Sequence, residues 1–208
     1  DLFQGSALMI GGVIVLVFGL IAVGGIDSFF TENKDKMHMI LPADHPVLPW
    51  TALVIGLWIP NIYYWGLNQY ITQRTLAAQN LKQGQMGVIF AAGLKLFIPF
   101  IIVFPGIIAA QLYSGTMNNT DAAYPLLIKN LIPVGLRGFM LAAIAGAVIS
   151  TLASMLNSAS TIFTMDFYKR YIKKDASQKE LIISGRLATV IFVVLGAMIA
   201  PYLGDPRF

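Results

Sequence analysis

Lys95 is the residue whose position most strongly indicates chemistry in this sequence. It lies in the apolar run 87–113, in which no other residue carries a charge. At about 1.5 Å per residue it sits roughly 12 Å into the run, near the middle of a lipid bilayer. An ammonium group at that depth costs several kcal/mol unless it faces a polar cavity. Lys95 is therefore a candidate ligand-binding residue, although a lysine can also extend its side chain to the membrane surface.

A second candidate site lies at the centre of the apolar run 50–70, where Asn61, Tyr64 and Trp65 occur close together. A carboxamide donates and accepts hydrogen bonds, as a polyol requires, and flat aromatic faces suit the C–H face of a sugar ring. Pro60 weakens the helix here, and the backbone groups it exposes are tolerated where they line a cavity. The alternative is a proline kink beside an aromatic belt, but such belts lie at span ends.

Hydroxyl and small side chains recur at steps of three and four in the run 138–164, which places them on one helical face. Such a face can offer oxygen atoms to a hard cation such as sodium. The same residue types also pack membrane helices together, and from the residues alone we favour packing. Asp1 and Gln4 share a helical face at the start of the first run, where a carboxylate could attract cations or lie in solvent. The residues on the 138–164 face are Ala147, Ser150, Thr151, Ser154, Ser158 and Thr161.

The elements that must position these residues are membrane helices. The chain is 57% hydrophobic and 12% charged, whereas soluble domains are about 25% charged. Apolar runs of about 20 residues predict an all-α integral membrane protein with five spans, the second broken at the bilayer midplane. We expect one membrane domain over residues 1–208. The predicted spans are 2–25, 50–70, 87–113, 138–164 and 182–203.

The connections between the spans differ in positive charge, which predicts their orientation. The connections 71–86 and 165–186 contain eight lysines and arginines, and the remaining connections with the C-terminal end contain five. We therefore assign 71–86 and 165–186 to the cytoplasm. The apolar stretch 122–134 is too short to span and is expected to lie at the interface or to pack on the bundle.

Several function classes lack their signals in this sequence. It contains no cysteine and two histidines, and we find no phosphate-binding loop, no paired carboxylates within a span and no metal-ligand spacing. The basic residues do not form a nucleic-acid-binding face. We therefore expect no enzymatic activity and no nucleic-acid partner. Because the chain opens at Asp1 and stops just after a span, we expect it to be an internal fragment of a longer polypeptide.

Two stretches, 61–78 and 154–166, resemble the sodium/glucose cotransporters, a branch of the sodium:solute symporters, and are most similar to its galactose-transporting bacterial members. The similarity covers residues 1 to about 201. The resemblance implies a five-plus-five inverted-repeat fold, of which this chain holds the fifth to the ninth core helices.

The resemblance also implies roles for the residues named above. Asn61 and Lys95 would hydrogen-bond the sugar, and Tyr64 would stack on it as an inner gate with Trp65 behind. Sodium would bind the Ala147 carbonyl and the hydroxyls of Ser150 and Thr151, with further ligands from a helix outside this chain. Asp1 would lie on the sodium exit route.

We therefore predict a multi-pass transporter of the plasma membrane, such as a bacterial inner membrane, that couples sodium flow to uptake of a neutral sugar. Its partners would be the sugar, Na+ and the lipid bilayer. One alternative is the same fold carrying inositol, sialic acid or an amino acid. Others are a transporter-like sensor module, and a proton-pumping subunit with Lys95 as relay, which would need further ionisable groups within the spans.

Overall fold

The computed structural model describes residues 2–38, 40–46, 48–117 and 119–203. Within these ranges the secondary structure is helical and no strand occurs. Four helical stretches are long and apolar enough to cross a membrane. The all-α class is thereby confirmed for the described residues, and four candidate spans are found where the sequence predicted five. The four stretches are Leu2–Ala22, Leu81–Tyr113, Val134–Ile172 and Gln178–Leu203.

Regular α-helices alternate with wider π-helical segments along the described chain. The α-helices are α1 (Leu2–Ala22), α2 (Ile26–Glu32), α3 (Trp58–Ile62), α4 (Gln69–Leu76), α5 (Leu81–Lys95), α6 (Phe104–Tyr113), α7 (Ala123–Leu131), α8 (Val134–Ile162) and α9 (Gln178–Leu203). The π-helical segments are Ala52–Gly56, Tyr63–Leu67, Pro99–Val103 and Phe163–Ile172.

The segment predicted as the second span differs most from expectation. It is an apolar helix over Ala52–Leu67, shorter than the four spans. The backbone stays helical past Pro60: the amide of Leu57 donates to the Ala52 carbonyl (2.9 Å), and the amide of Asn61 donates to the Leu57 carbonyl (3.2 Å). Proline lacks an amide hydrogen and crowds the preceding turn, and a wider turn accommodates that crowding. The predicted midplane break is therefore a change of helix type and not an unwound stretch.

Three spans begin several residues before the apolar runs that predicted them, and at two of these starts polar side chains cap the first turn. At α5, the Asn80 side chain accepts a hydrogen bond from the Gln83 amide at 2.9 Å. At α9, the Ser177 amide donates to the Glu180 carboxylate (2.9 Å) and the Glu180 amide donates to the Ser177 hydroxyl (3.4 Å). These caps satisfy amide groups that have no partner within the helix.

The chain packs as two compact units. One contains the chain up to Leu67 together with Thr75–Val148, and the other contains Asn68–Arg74 with the chain from Ile149 onward. In the first unit α7 packs on α1 and α6, as expected for the 122–134 stretch. The resulting core joins α1 to the second half of the span that contains Lys95. Its buried side chains are Val15, Val23, Phe29, Ile108, Ala109, Leu127, Ile128, Ile132 and Met140.

Gly12 on α1 allows the closest approach in this unit. A Cβ atom built at Gly12 would lie 2.5 Å from Cγ2 and 2.7 Å from Cβ of Ile101, in the π-helical segment Pro99–Val103. The Ile101 Cβ is attached directly to the backbone, so a rotamer change cannot move it away. Glycine thus lets these two membrane helices meet, as small residues commonly do.

We expect Gly12→Ala to lower the thermal stability of the purified full-length protein. Overpacking of this kind costs about 1–3 kcal/mol, which exceeds the roughly 1 kcal/mol that alanine gains over glycine inside a helix. Gly5→Ala is the matched control, because nothing lies within 4 Å of a Cβ at Gly5 on the same helix. A melting temperature for Gly12→Ala at or above that of Gly5→Ala would contradict the close contact.

Candidate functional site

The predicted sugar-binding residues lie on two helical stretches of the first unit. Asn61 belongs to α3, and Tyr64 and Trp65 belong to the π-helical segment that follows it. Lys95 is the last residue of α5 and lies close to the middle of the apolar stretch Leu81–Tyr113.

The structure brings three of these residues together. The Lys95 ammonium nitrogen lies 4.2 Å from the ring centroid of Trp65 and 5.8 Å from that of Tyr64. The two rings meet edge to face, with centroids 5.2 Å apart and planes at 85°. Both distances from the ammonium are within the range of a cation–π interaction. Residues about thirty positions apart in sequence therefore form one cluster.

The surroundings of the Lys95 ammonium explain why it lies on the rings. Within the described part of the chain it forms no ion pair; the salt bridge found there joins Lys173 to Glu180. A ring face is then the available electrostatic partner, worth about 0.5–1 kcal/mol at an exposed site and about 2 kcal/mol when desolvated. Tyr64 and Trp65 keep 37% and 38% of their surface exposed, so both rings remain accessible to a ligand.

Asn61 adds a carboxamide one helical turn before the aromatic pair. Its side chain is exposed, and its Nδ2 donates to the Leu57 carbonyl at 2.7 Å. One N–H group of the carboxamide is thus engaged in a hydrogen bond to the backbone of its own helix. This bond fixes the carboxamide at the start of the π-helical segment, within the same stretch as the two rings.

The three predicted sodium ligands lie on one helix, α8. Ala147 and Ser150 are partly buried and Thr151 is exposed. Positions i, i+3 and i+4 of a helix share a face, so the arrangement presents the two hydroxyl residues side by side.

Other members of the polar face bond to their own helix. The Ser154 hydroxyl donates to the Ser150 carbonyl at 3.0 Å, and the Thr161 hydroxyl donates to the Asn157 carbonyl at 2.7 Å. Packing also uses this helix, since the Gln4 side chain on α1 donates to the Gly146 carbonyl at 3.0 Å. Asp1, predicted on the sodium exit route, lies outside the described residues.

An open groove of about 660 Å³ lies in the second unit. Its lining is almost entirely apolar with one carboxylate, and it contains none of the predicted site residues. We therefore do not place the predicted sugar-binding site there. The groove is lined by Ala159, Ile162, Phe163, Asp166, Phe167 and Phe192.

One polar contact of the second unit was missed in the sequence analysis, which counted Arg74 only as a loop charge. The Arg74 guanidinium donates to the Ser154 hydroxyl. The carboxamide of the neighbouring Gln73 reaches the Ser154 backbone carbonyl at 3.5 Å. The spacing of these residues carries no signal for this contact, because it depends on how α4 packs against α8.

Several known proteins similar to this chain are named as sodium-coupled transporters. This chain is 41% identical to the sodium/glucose cotransporter of Vibrio parahaemolyticus, in an alignment that covers 98% of this chain. It is 34% identical to the bovine sodium/myo-inositol cotransporter 2, in an alignment that covers 97% of this chain. A solved structure of a Na+-coupled sialic acid symporter in a substrate-bound outward-open state superposes with a TM-score of 0.84 at 26% identity, covering 98% of this chain and 45% of that one.

The chain spans less than half of these relatives, namely 42% of the Vibrio protein and 35% of the bovine one. The sequence profile of the sodium:solute symporter family matches residues 1–204, which is nearly all of the chain. The chain therefore belongs to the sodium:solute symporter family.

Proposed function

We propose that the protein containing this chain is a sodium-coupled symporter of the plasma membrane that takes up a neutral sugar by alternating access. The observation that carries the proposal is the position of the Lys95 ammonium, 4.2 Å from the centroid of the Trp65 ring and near the middle of an apolar span. A cation beside accessible aromatic rings offers what a sugar needs, namely a hydrogen-bond donor and a flat face.

Sugar binding exchanges one contact of Lys95 for another. A ring face cannot hold an ammonium group and a pyranose at the same time, so the ammonium turns away from the rings and donates to a sugar hydroxyl. The new bond is a charge-assisted hydrogen bond, which is stronger than one between neutral groups. The C–H face of the sugar then stacks on Tyr64, and the Asn61 carboxamide bonds further hydroxyl groups.

Sodium is the coupling ion in this proposal and binds at α8. The Ala147 carbonyl and the hydroxyls of Ser150 and Thr151 contribute three oxygen atoms, and a helix outside this chain completes the coordination. Sodium binding favours the outward-open state, and its release into a low-sodium cytoplasm favours the inward-open one. The membrane potential adds roughly 2.3 kcal/mol per charge per 100 mV to this driving force.

Uptake by proteoliposomes tests the proposal directly. The full-length protein is reconstituted, an inward sodium gradient is imposed, and the accumulation of radiolabelled galactose, glucose, myo-inositol and sialic acid is measured. We expect accumulation of a neutral sugar that disappears when potassium replaces sodium outside. Uptake that is indifferent to this replacement would rule out sodium coupling.

The choice of solutes also tests the substrate class. Lys95 is a cation, so it could pair with a carboxylate substrate such as sialic acid. The neighbouring Asn61, Tyr64 and Trp65 are uncharged and suit a polyol, which is why we favour a neutral sugar. Accumulation of sialic acid alone would reject the neutral-sugar proposal while leaving sodium coupling intact.

We expect Ser150→Ala to raise the sodium concentration for half-maximal uptake severalfold, because a hydroxyl oxygen is lost from the cation's coordination shell. Thr161→Val is the matched control on the same helical face: its hydroxyl bonds to the Asn157 carbonyl, and valine keeps its shape. The half-maximal sodium concentration is measured for each variant at saturating sugar. Equal values for Ser150→Ala and the wild type would remove Ser150 from the proposed sodium site.

A further inference from the structure

We infer that the positive charge of Arg74 weakens sodium binding at α8 and thereby promotes the release of sodium. The inference rests on the proposed function, because it assumes that sodium binds near Ser150 and Thr151. Its basis is the contact between Arg74 on α4 and Ser154 on α8, both within the second unit.

The contact is part of a small hydrogen-bonded network. The Arg74 guanidinium donates to the Ser154 hydroxyl, and that hydroxyl donates to the Ser150 carbonyl at 3.0 Å. The Gln73 carboxamide reaches the Ser154 carbonyl at 3.5 Å. Two adjacent side chains of α4 are thus directed to the same residue of α8, which fixes where the guanidinium lies.

The network brings a permanent positive charge close to the proposed sodium ligands. An arginine is always charged in proteins, and two hydrogen-bond lengths in series place its donating nitrogen at most about 6 Å from the Ser150 carbonyl oxygen. The hydroxyl of the same residue, Ser150, is a proposed sodium ligand, and Thr151 is the next residue. A sodium ion bound there therefore lies within a short distance of a like charge.

The size of the repulsion between Arg74 and a bound sodium ion depends on how far Arg74 is exposed to water. Arg74 is an exposed side chain, so solvent screens its charge and the effective dielectric constant lies nearer that of water than that of a dry protein interior. Two unit charges about 6–8 Å apart under such screening change a binding constant by about 3- to 10-fold. This is large enough to measure and small enough to leave the site functional.

Such a residue has a clear use in a symporter. Sodium must bind from a concentrated solution outside and leave into a dilute solution inside, and an ion held too tightly slows the cycle at its release. Arg74 lies in the connection 71–86, which the charge distribution assigns to the cytoplasm. A cation fixed beside the site on that side lowers the affinity of the state from which sodium departs.

The Ser154 hydroxyl is also occupied by the network. A hydroxyl has one hydrogen to donate and two lone pairs; here the hydrogen goes to the Ser150 carbonyl and one lone pair accepts from Arg74. A second cation at Ser154 would have to displace or approach the guanidinium. Ser154 is thus assigned to anchoring Arg74 and not to holding sodium.

Direct sodium binding tests the inference without relying on sugar transport. Binding of 22Na+ to the purified full-length protein is measured without sugar, with choline chloride holding the ionic strength constant. We expect Arg74→Gln, which keeps hydrogen-bond donors but loses the charge, to lower the sodium dissociation constant by about 3- to 10-fold. Arg74→Lys, which keeps the charge, should restore a value close to that of the wild type.

Lys82→Gln is the matched control, because it removes one positive charge from the same connection of the sequence and should leave the dissociation constant unchanged. An unchanged or raised constant for Arg74→Gln would overturn the inference. So would equal constants for Arg74→Gln and Arg74→Lys, since the charge would then not be the cause. A wild-type protein that binds no sodium would contradict the proposed function itself.

Ser154→Ala keeps the inference testable if Arg74→Gln fails to fold. Removing the anchor lets the guanidinium move into solvent, so the sodium dissociation constant should fall, by less than in Arg74→Gln. A severalfold rise would mean that Ser154 binds sodium directly and would reject its role as the anchor.

Discussion

We expect replacement of Lys95 with alanine to weaken the proposed sugar binding by about 10- to 100-fold, because a hydrogen bond from a charged donor in a partly dry site contributes about 1.5–3 kcal/mol. The ammonium also leaves the faces of Trp65 and Tyr64, 4.2 and 5.8 Å from their centroids. The loss of that contact destabilises the sugar-free protein and not the complex, so the loss of affinity stays below the roughly 160-fold that a bond of 3 kcal/mol alone would give.

The measurement is the sugar dissociation constant of the purified full-length protein, together with its sodium dissociation constant. We expect sodium binding by Lys95→Ala to stay close to that of the wild type, because the proposed sodium ligands lie on α8. Lys82→Ala in the first turn of the same helix is the matched control and should bind sugar normally. Unaltered sugar affinity in Lys95→Ala would show that the lysine only extends towards the membrane surface.

The class of the fold follows from the sequence because a bilayer leaves few options. Apolar runs of about 20 residues must be helical, since no water is available to pair their backbone groups. The starts of the helices do not follow from apolarity alone. Asn80 caps α5, and the Ser177–Glu180 pair caps α9. Both starts were visible in the sequence as capping residues, and hydropathy alone overlooked them.

The helix Ala52–Leu67 shows a different limit of prediction. Proline in a membrane helix can unwind the backbone or be absorbed by a wider turn, and the sequence does not distinguish these outcomes. Which one occurs depends on how neighbouring turns rearrange their hydrogen bonds. In this chain the amide of Leu57 reaches back five residues to Ala52, and the helix continues.

The sequence predicted which residues form the candidate site, but not how their side chains contact one another. Asn61, Tyr64, Trp65 and Lys95 each stood out because their side chains are unusual in the middle of an apolar run. That the Lys95 ammonium lies over the Trp65 ring depends on where the fold places the end of α5 relative to the π-helical segment. Arg74 is the opposite case: nothing in its own position marked it, and only its contact with Ser154 gives it a role.

We expect replacement of Tyr64 with alanine to abolish the proposed sodium-driven sugar uptake, and Tyr64→Phe to retain much of it. The proposed role of Tyr64 is to offer a ring face to the sugar, and phenylalanine keeps that face. Alanine removes it and also removes the edge-to-face partner of Trp65, whose ring centroid lies 5.2 Å away. A bound sugar that is displaced by about 1 Å can already lose on the order of 100-fold in rate.

Uptake of radiolabelled sugar into proteoliposomes at equal protein density distinguishes the two variants. Tyr63→Ala is the matched control, because it removes an equal ring from the adjacent position, where 59% of the side chain is exposed. We expect this control to transport sugar, since the contacts with Lys95 are made by Tyr64 and Trp65. Equal uptake by Tyr64→Phe and Tyr64→Ala would exclude a stacking role, because the ring is the only group that separates them. Loss of uptake in Tyr63→Ala as complete as in Tyr64→Ala would mean that this segment needs aromatic bulk to fold and does not use one ring to hold the sugar.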